Sequence, residues 1–168
     1  PEKIKCRANA TLTAVELRDL QPGYTLATDR LALSVTPAAV TAAGDVRVNG
    51  VPVTVDYREN TPPVRGVQRT IKATGRLDAA GARSLKLDWP EDIRGVVGID
   101  ATVVEARNPK RTIDVALDFG RAVVEIKELV ISKRSGEPGS ASARIVPAPQ
   151  VGSSRVWPGV GPASSARQ

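Results

Sequence analysis

The stretch that decides the fold runs from Arg111 to Phe119 and reads Arg-Thr-Ile-Asp-Val-Ala-Leu-Asp-Phe. Its large apolar residues, Ile113, Val115, Leu117 and Phe119, occupy every second position, and polar or small residues fill the positions between them. A period of two predicts a β-strand with one apolar face and one solvated face. The fold should therefore be built from strands of this kind, provided that the pattern recurs.

The alternation does recur along most of the chain. Valine is frequent in these runs, and β-branched side chains favour strands. The first run changes phase after Leu12, which predicts a β-bulge near Thr13 or Ala14. Strands are predicted over 3–18, 31–35, 40–58, 67–77, 95–106, 111–119, 122–133 and 140–146.

Turn and helix signals divide these strands. Asn49-Gly50 predicts a two-residue hairpin, and Pro52 behind it should sit at a strand start or on a sheet edge. The sequence over 60–63, Asn-Thr-Pro-Pro, and Asn108-Pro109 should interrupt the strands. One short helix is predicted over 78–87, capped by Asp78. The fold class is therefore mainly β, an antiparallel sheet of alternating strands with one short helix near 78–87.

Two regions differ in composition. Residues 1–146 form the predicted β-sheet domain, and residues 147–168 form a tail or linker rich in Pro, Gly and Ser, with Trp157 as its expected anchor. No apolar stretch is long enough to span a bilayer. The chain begins at Pro1, and we expect it to be a piece of a longer protein whose targeting segment lies elsewhere.

The residue inventory argues against most enzyme classes. The chain has no histidine, and Cys6 is its single cysteine, so Ser-His-Asp and Cys-His catalysis are excluded and a zinc site lacks its usual ligands. No P-loop sequence is present. Glu91 and Asp92 form one conceivable carboxylate pair, although a solvated turn is the simpler interpretation. We expect no enzyme activity, no cofactor and no metal.

The other carboxylate pair, Asp114 and Asp118, shares one strand. At ~3.3 Å per residue the two side chains lie about 13 Å apart, too far to share a proton. The net charge of +6 raises the possibility of nucleic-acid binding. The basic residues are scattered, however, and the chain has two Trp, two Tyr and one Phe, too few to form stacking platforms beside them. We therefore expect no nucleic-acid partner.

The basic residues near the end of the domain have two interpretations. Lys127, Lys133 and Arg134 would contact lipid head groups at a rim, or would simply keep a strand end soluble.

Three stretches resemble the AsmA-like superfamily of Gram-negative envelope proteins, and in particular the repeat region of YhdP-type members, which are related to TamB. The resemblance covers residues 30–146 and departs from the family pattern at Phe119-Gly120-Arg121. The first stretch is Ala43-Gly-Asp-Val-Arg-Val-Asn-Gly-Val-Pro-Val-Thr-Val-Asp-Tyr-Arg-Glu-Asn60. The second and third are Ile93-Arg-Gly-Val-Val-Gly-Ile-Asp-Ala-Thr-Val103 and Asp114-Val-Ala-Leu-Asp-Phe-Gly-Arg-Ala-Val-Val-Glu-Ile126, the latter followed by Lys133 and by Gly136-Glu-Pro-Gly-Ser-Ala-Ser-Ala143.

The resemblance implies a curved, groove-shaped sheet within a parent protein that is anchored in the inner membrane and crosses the periplasm. It also implies a role in carrying phospholipids toward the outer membrane, with acyl chains and neighbouring repeats of the same parent as partners. In-phase aliphatic side chains would give such a groove a smooth lining. The groove candidates are Val97, Ile99, Val103, Ile113, Val115, Leu117 and Phe119.

Two alternatives to the groove stay open. If the protein had two packed layers, the same residues would form its core. If the groove were absent, the chain would be a structural or interaction module of the envelope that pairs through its sheet edges.

Overall fold

The computed structural model describes residues 7–106, 111–126 and 130–147. Within these residues the chain forms eleven strands and one short helix, as the alternating pattern predicts. The strands are β1 (Ala8–Gln21), β2 (Tyr24–Val35), β3 (Ala39–Val48), β4 (Val51–Val64), β5 (Val67–Leu77), β6 (Ile93–Gly95), β7 (Val97–Ala106), β8 (Arg111–Asp118), β9 (Ala122–Ile126), β10 (Ile131–Lys133) and β11 (Ser140–Ile145), and the helix is α1 (Ala79–Ser84).

Eight strands form one antiparallel sheet in the order β1-β2-β3-β4-β5-β7-β8-β11. The sheet is curved and does not close, which confirms the predicted fold class. The chain leaves this meander twice, through α1 and β6 between β5 and β7, and through β9 and β10 between β8 and β11. The excursions supply a second sheet in the order β10-β9-β6.

Both excursions leave the main sheet at the same end, which we call the helix end. Leu77 opposes Val97 there, and Asp118 opposes Ser140. The hairpin at Asn49 turns at this end as well, because Val48 opposes Val51 immediately beside it. One end of the sheet therefore carries nearly all of the additional structure.

The predicted hairpin is present. Asn49 and Gly50 have φ angles of 48° and 83°, the left-handed conformation that a two-residue hairpin of this kind requires. The predicted bulge in β1 does not shift the pairing of β1 with β2, which keeps one register from Ala8 to Arg18; the register shift at this place lies between β2 and β3. Ala14 has a φ of 51° where the apolar phase changes in β1. Pro52 is the second residue of β4, so the predicted strand start is confirmed. The edge alternative is wrong, because β4 lies between β3 and β5.

The helix is shorter than predicted. Asp78 caps α1 as expected, since its side chain accepts a hydrogen bond from the Gly81 backbone N–H at 2.8 Å. The helix ends at Ser84, and Lys86 then adopts a φ of 56°. The residues after Ser84 leave the helix and pack against the sheet instead, so tertiary contact overrides their helix propensity.

Two predicted strands and one predicted break need correction. The strand predicted over 122–133 is a hairpin of β9 and β10 in the small sheet, not one strand. The strand predicted over 95–106 begins as β6 and resumes as β7 after Val96. The break predicted over 60–63 is absorbed into β4, where the pairing with β5 shifts register between Glu59 and Val64. In each case long-range pairing decided what the local pattern left ambiguous.

The buried core is small and lies mainly at the helix end. Val51, Leu77 and Ala82 form its centre, and Leu85 and Trp89 pack against them. The buried apolar residues of the described chain are Ala39, Val46, Val51, Leu77, Ala82, Val97 and Ala122.

Several predictions fall outside the described residues. They concern Cys6, the turn at Asn108-Pro109, Lys127 and Trp157, together with the tail from residue 148 onward.

Candidate functional site

The register of the main sheet places its apolar residues on one face. Directly opposed residues of antiparallel strands project to the same side, so the pairing can be followed from β1 to β11. Three rows of residues cross the sheet, and we call them together the apolar face; neighbours in each row oppose each other directly, except Thr28 and Val46, which lie where the pairing of β2 with β3 shifts register. The helix-side row is Val15, Thr28, Val46, Val53, Gly75, Ile99, Leu117 and Ala141; the middle row is Leu12, Leu31, Gly44, Val55, Ala73, Ala101, Val115 and Ala143; the far row is Ala10, Leu33, Ala42, Tyr57, Ile71, Val103, Ile113 and Ile145.

The bulges keep β1 and β2 in phase with the rest of this face. Leu12 and Val15 are three residues apart, yet they oppose Leu31 and Thr28 respectively. The pairing of β2 with β3 shifts register between Ala27 and Arg30, next to the left-handed Ala14 of β1. One extra residue in each strand therefore restores the apolar side chains to the same face.

The face has the dimensions of a lipid chain rather than of a small-molecule pocket. Across its eight strands it is about 34 Å long at ~4.8 Å per strand spacing, and across its three rows about 13 Å wide. Its middle row contains Gly44, Ala73, Ala101 and Ala143, whose side chains are small. The same row also holds the larger side chains Leu12, Leu31, Val55 and Val115.

Within the described residues, this face is not covered as the core of a two-layer protein would be. Val53, Val55, Ala73, Ala101 and most of their neighbours are only half-buried. In the part of the chain that the structure describes, the main sheet makes its extensive contacts between neighbouring strands, and no second sheet lies over the three rows. Contiguous apolar surface of this extent, several hundred Å², commonly marks an interaction site.

Five of the seven predicted groove residues lie on this face. Ile99 and Leu117 oppose each other, and so do Val103 and Ile113, with Val115 between those pairs in the middle row. The other two do not line its open part. Val97 is buried at the helix end, with 3% of its surface exposed, and Phe119 lies just beyond the end of β8.

The sequence prediction missed the half of the face that β1 to β5 contribute. The signal was present, because Val51, Val53, Val55 and Tyr57 alternate as regularly as the β8 residues. What was missing was the register that joins Val55 to the other strands.

One long side of the face is partly covered at the helix end. The segment after α1 places Leu85 and Leu87 beside the sheet, where they partly cover an apolar cavity of about 180 Å³ that stays open to solvent beside the half-exposed Leu87. Hydrogen bonds tie this segment to the sheet: the Tyr24 hydroxyl donates to the Leu85 carbonyl at 2.9 Å, and Asn49 Nδ2 donates to the Ser84 carbonyl at 2.8 Å. The cavity is lined by Val51, Pro52, Val53, Ala73, Thr74, Gly75, Arg76, Leu77, Leu85, Leu87, Ile99 and Ala101.

The opposite long side carries a row of ions in four adjacent strands. Glu59, Arg69, Glu105 and Arg111 oppose one another in turn, and we call them the charged row. Arg69 reaches Glu105 at 3.2 Å and Glu59 at 3.7 Å, and Arg111 reaches Glu105 at 3.6 Å. The apolar face is thus bordered by alternating charge on one side and by aliphatic side chains on the other.

Tyr57 couples the charged row to the apolar face. Its hydroxyl donates to Glu59 Oε2 at 2.6 Å, and the Arg69 guanidinium lies 5.8 Å from its ring centre. This hydrogen bond, with the positive charge of Arg69, holds the pKa of Glu59 below its usual value, although burial opposes the shift. Burial raises the pKa of Tyr57, and the bond to Glu59 adds to that shift.

The other face of the sheet is polar, and two of its carboxylates, Asp114 and Asp118, have structural partners. Asp114 accepts from Arg144 of the neighbouring strand at 2.6 Å, and Asp118 accepts from the Gly120 backbone N–H at 2.8 Å. Glu91 and Asp92 are exposed in a turn. Among the described residues, no three His, Cys, Asp or Glu side chains are grouped so that they could hold a metal ion.

Neither family models, nor curated proteins, nor solved structures gave a match. Within the described residues, no helix has both the length and the apolar character needed to cross a membrane.

Proposed function

We propose that this chain is a segment of an AsmA-like, periplasm-spanning protein that transfers phospholipid, and that its apolar face carries the acyl chains. The observation that supports this most is the alignment of three apolar rows on a curved, open sheet with no second layer over them in the described residues. A folded domain seldom leaves so much aligned apolar surface half-exposed without a partner for it.

The energetics favour an aliphatic partner. Each methylene that leaves water for an apolar surface contributes about 0.8 kcal/mol. The open part of the face offers almost no hydrogen-bonding side chain, since Tyr57 bonds to Glu59 and the Thr28 hydroxyl donates to the Asp45 carbonyl at 2.7 Å. A chain lying on this open part would be held there by burial, because no free polar side chain contacts it.

The resemblance stretches support the assignment to the envelope. They coincide with the β3–β4 hairpin, with β6 and β7, and with β8, β9 and the first part of β11, so they cover parts of five strands of the main sheet. We propose on this basis that the parent protein is anchored in the inner membrane of a Gram-negative bacterium, and that this segment lies in the periplasm beside neighbouring repeats. The proposed role needs no catalysis, cofactor, metal or nucleic acid.

The test is native mass spectrometry of the protein purified from a Gram-negative host, with lipid extraction of the same sample. We expect phospholipid to co-purify. Changing Val115→Asn and Leu117→Asn together should remove it, because two amides on the middle and helix-side rows would have to give up their hydration beneath an acyl chain.

A matched control lies on the same strand. Thr112→Asn and Ala116→Asn place the same two amides on the polar face of β8, where they should leave lipid binding unchanged. Circular dichroism and urea unfolding of both double variants show whether the sheet is kept. Two results would contradict the proposal: an unmutated chain that is folded but carries no lipid, or equal lipid loss from the two double variants.

A second candidate function rests on the sheet edges. Every residue of β11 is exposed, and in the described chain β1 and β11 each pair on one side only. Such edges can add a strand from a partner. If the protein is folded and free of lipid, a structural or interaction module of the envelope becomes the better proposal, and light scattering should then show self-association through these edges.

A further inference from the structure

The two ends of the apolar face, followed along its strands, differ in chemistry. At the helix end Leu85 and Leu87 cover part of the face and of the cavity of about 180 Å³. At the other end the charged row borders the face across β4, β5, β7 and β8. A ligand with one apolar and one polar end would therefore meet different surroundings in its two possible orientations.

The cavity has the size and chemistry for the end of one aliphatic chain. A cavity of about 150 Å³ with an aliphatic and aromatic lining is large enough to bind benzene, and stays dry when empty. The present cavity is slightly larger and its lining is almost entirely apolar, but it opens to solvent on one side, where an aliphatic chain could enter. Its floor is formed by Ala73, Gly75 and Ala101, whose small side chains leave the room that Val or Leu would fill.

The distance to the charged row matches the length of a chain. Gly75 of the cavity and Arg69 of the charged row are six residues apart in β5, or about 20 Å at ~3.3 Å per residue. The acyl chains of one leaflet fill about 15 Å, half of a ~30 Å hydrocarbon core. A chain that starts in the cavity and follows β5 therefore ends its apolar part shortly before Arg69 and Arg111.

We propose that the cavity beneath Leu85 and Leu87 holds the methyl end of one aliphatic chain, and that the chain runs along β5 with its polar end at the charged row. The ligand class is an amphiphile with one aliphatic chain and a polar head group, since the charged row pairs two carboxylates with two guanidinium groups and so favours a polar end without selecting the sign of its charge. The proposal rests on the proposed function, that the face carries lipid, and adds the orientation of the chain and the site of its end.

Trp89 provides a reporter at the helix end. It packs against the cluster of Val51, Leu77 and Ala82, two of whose members line the cavity. In a Trp157→Phe background its fluorescence can be followed alone. The probes are two fatty acids of equal length, one brominated beside its methyl end and one beside its carboxyl group. Bromine quenches tryptophan only at short range and is about the size of a methyl group.

We expect the acid brominated beside its methyl end to quench Trp89 more strongly at saturation. Ala101→Leu fills the cavity floor and should weaken binding about tenfold, since it displaces roughly two methylenes from an apolar site. The control is Ala116→Leu, which adds the same side chain to the polar face of β8, away from the cavity, and should leave both affinity and quenching order unchanged.

The outcomes separate the two proposals. If both acids bind and quench Trp89 equally, the chain has no fixed end in the cavity, and the orientation is wrong while the lipid-carrying face stands. If native mass spectrometry shows that neither acid binds, the proposed function fails as well. The two acids are compared in the Trp157→Phe protein, whose face and cavity residues are unchanged. That comparison decides the orientation even if Ala101→Leu fails to fold. Unchanged affinity in a folded Ala101→Leu protein would overturn the cavity as the site.

Discussion

Asn49 combines two roles at a single position. Its φ of 48° is the left-handed conformation that asparagine tolerates better than most residues. Its side chain accepts from the Thr25 backbone N–H at 2.8 Å and donates to the carbonyls of Gly23 and Ser84 at 3.2 and 2.8 Å. One side chain therefore joins the β1–β2 hairpin, the β3–β4 hairpin and the end of α1.

Substitution of Asn49 separates these roles. Asn49→Gly keeps the backbone conformation and loses three hydrogen bonds, which should lower the free energy of unfolding by about 2–3 kcal/mol at ~1 kcal/mol per bond. Asn49→Ala should cost roughly 1 kcal/mol more, because alanine is strained in that conformation. Urea unfolding of the two variants measures both quantities, and equal stabilities would contradict the backbone contribution.

The bond from Tyr57 to Glu59 predicts a dependence of stability on pH. Because the pKa of Glu59 is lowered in the folded state, its carboxylate contributes stability above the unfolded-state pKa, and that contribution is lost as the pH falls through the folded-state pKa. Tyr57→Phe removes the largest cause of the shift. The difference in unfolding free energy between parent and Tyr57→Phe should therefore shrink between neutral pH and about pH 3.

A second tyrosine gives the control for this measurement. The Tyr24 hydroxyl donates to the neutral Leu85 carbonyl, so Tyr24→Phe should cost the same at neutral and acidic pH. If the cost of Tyr57→Phe were equally constant, the hydrogen bond would not be what lowers the pKa of Glu59.

At the scale of the elements, α1 and the segment after it act as a cover for one end of the sheet. Leu77 of β5 is 4% exposed and packs with Val51 and Ala82, so this contact joins the cover to two strands. Leu77→Ala should cost about 2–5 kcal/mol, the usual range for a leucine removed from a core. Leu12→Ala is the matched control, because Leu12 lies on the same face in edge strand β1 and is 36% exposed.

Thermal and urea unfolding of the two leucine variants test this difference. Leu12→Ala should cost clearly less, since its side chain is partly in water in the folded state. Equal costs would mean that the apolar face is covered near β1 as completely as at the helix end, which would argue against an open groove.

At the scale of the whole molecule, stability should fall from the centre of the sheet to its β11 edge. Strands β4, β5 and β7 have neighbours on both sides, whereas β11 is six residues long, fully exposed and paired only with β8 in the described chain. Local opening energies range from near zero at frayed elements to the global value in central strands. Hydrogen exchange should therefore be fastest in β11 and slowest in β5 and β7. Strong protection of β11 would instead indicate a partner strand on its outer edge.

The alternation of apolar residues determined much of this architecture. Strand type, the Asn49-Gly50 hairpin, the Asp78 cap and the phase change at Ala14 all follow from contacts within a few residues, and such local preferences act before any long-range contact forms. The same local reasoning failed over 122–133, where nothing in the adjacent Val130 and Ile131 distinguishes one long strand from a hairpin. Local reasoning also predicted too long a helix, because Leu85 packs against the sheet instead of continuing the helix.

The amino-acid sequence by itself determined that the chain is mainly β and that one face of each strand is apolar, because a period of two is a property of neighbouring residues. Only the tertiary structure decided which strands are neighbours, and hence that Val55, Ala73, Ala101 and Val115 lie in one row. Register depends on pairing between residues far apart in the chain. The same long-range packing buried Val97, partly covered the cavity beside Leu85 and left the rest of the face open, so the apolar residues became a surface rather than a core.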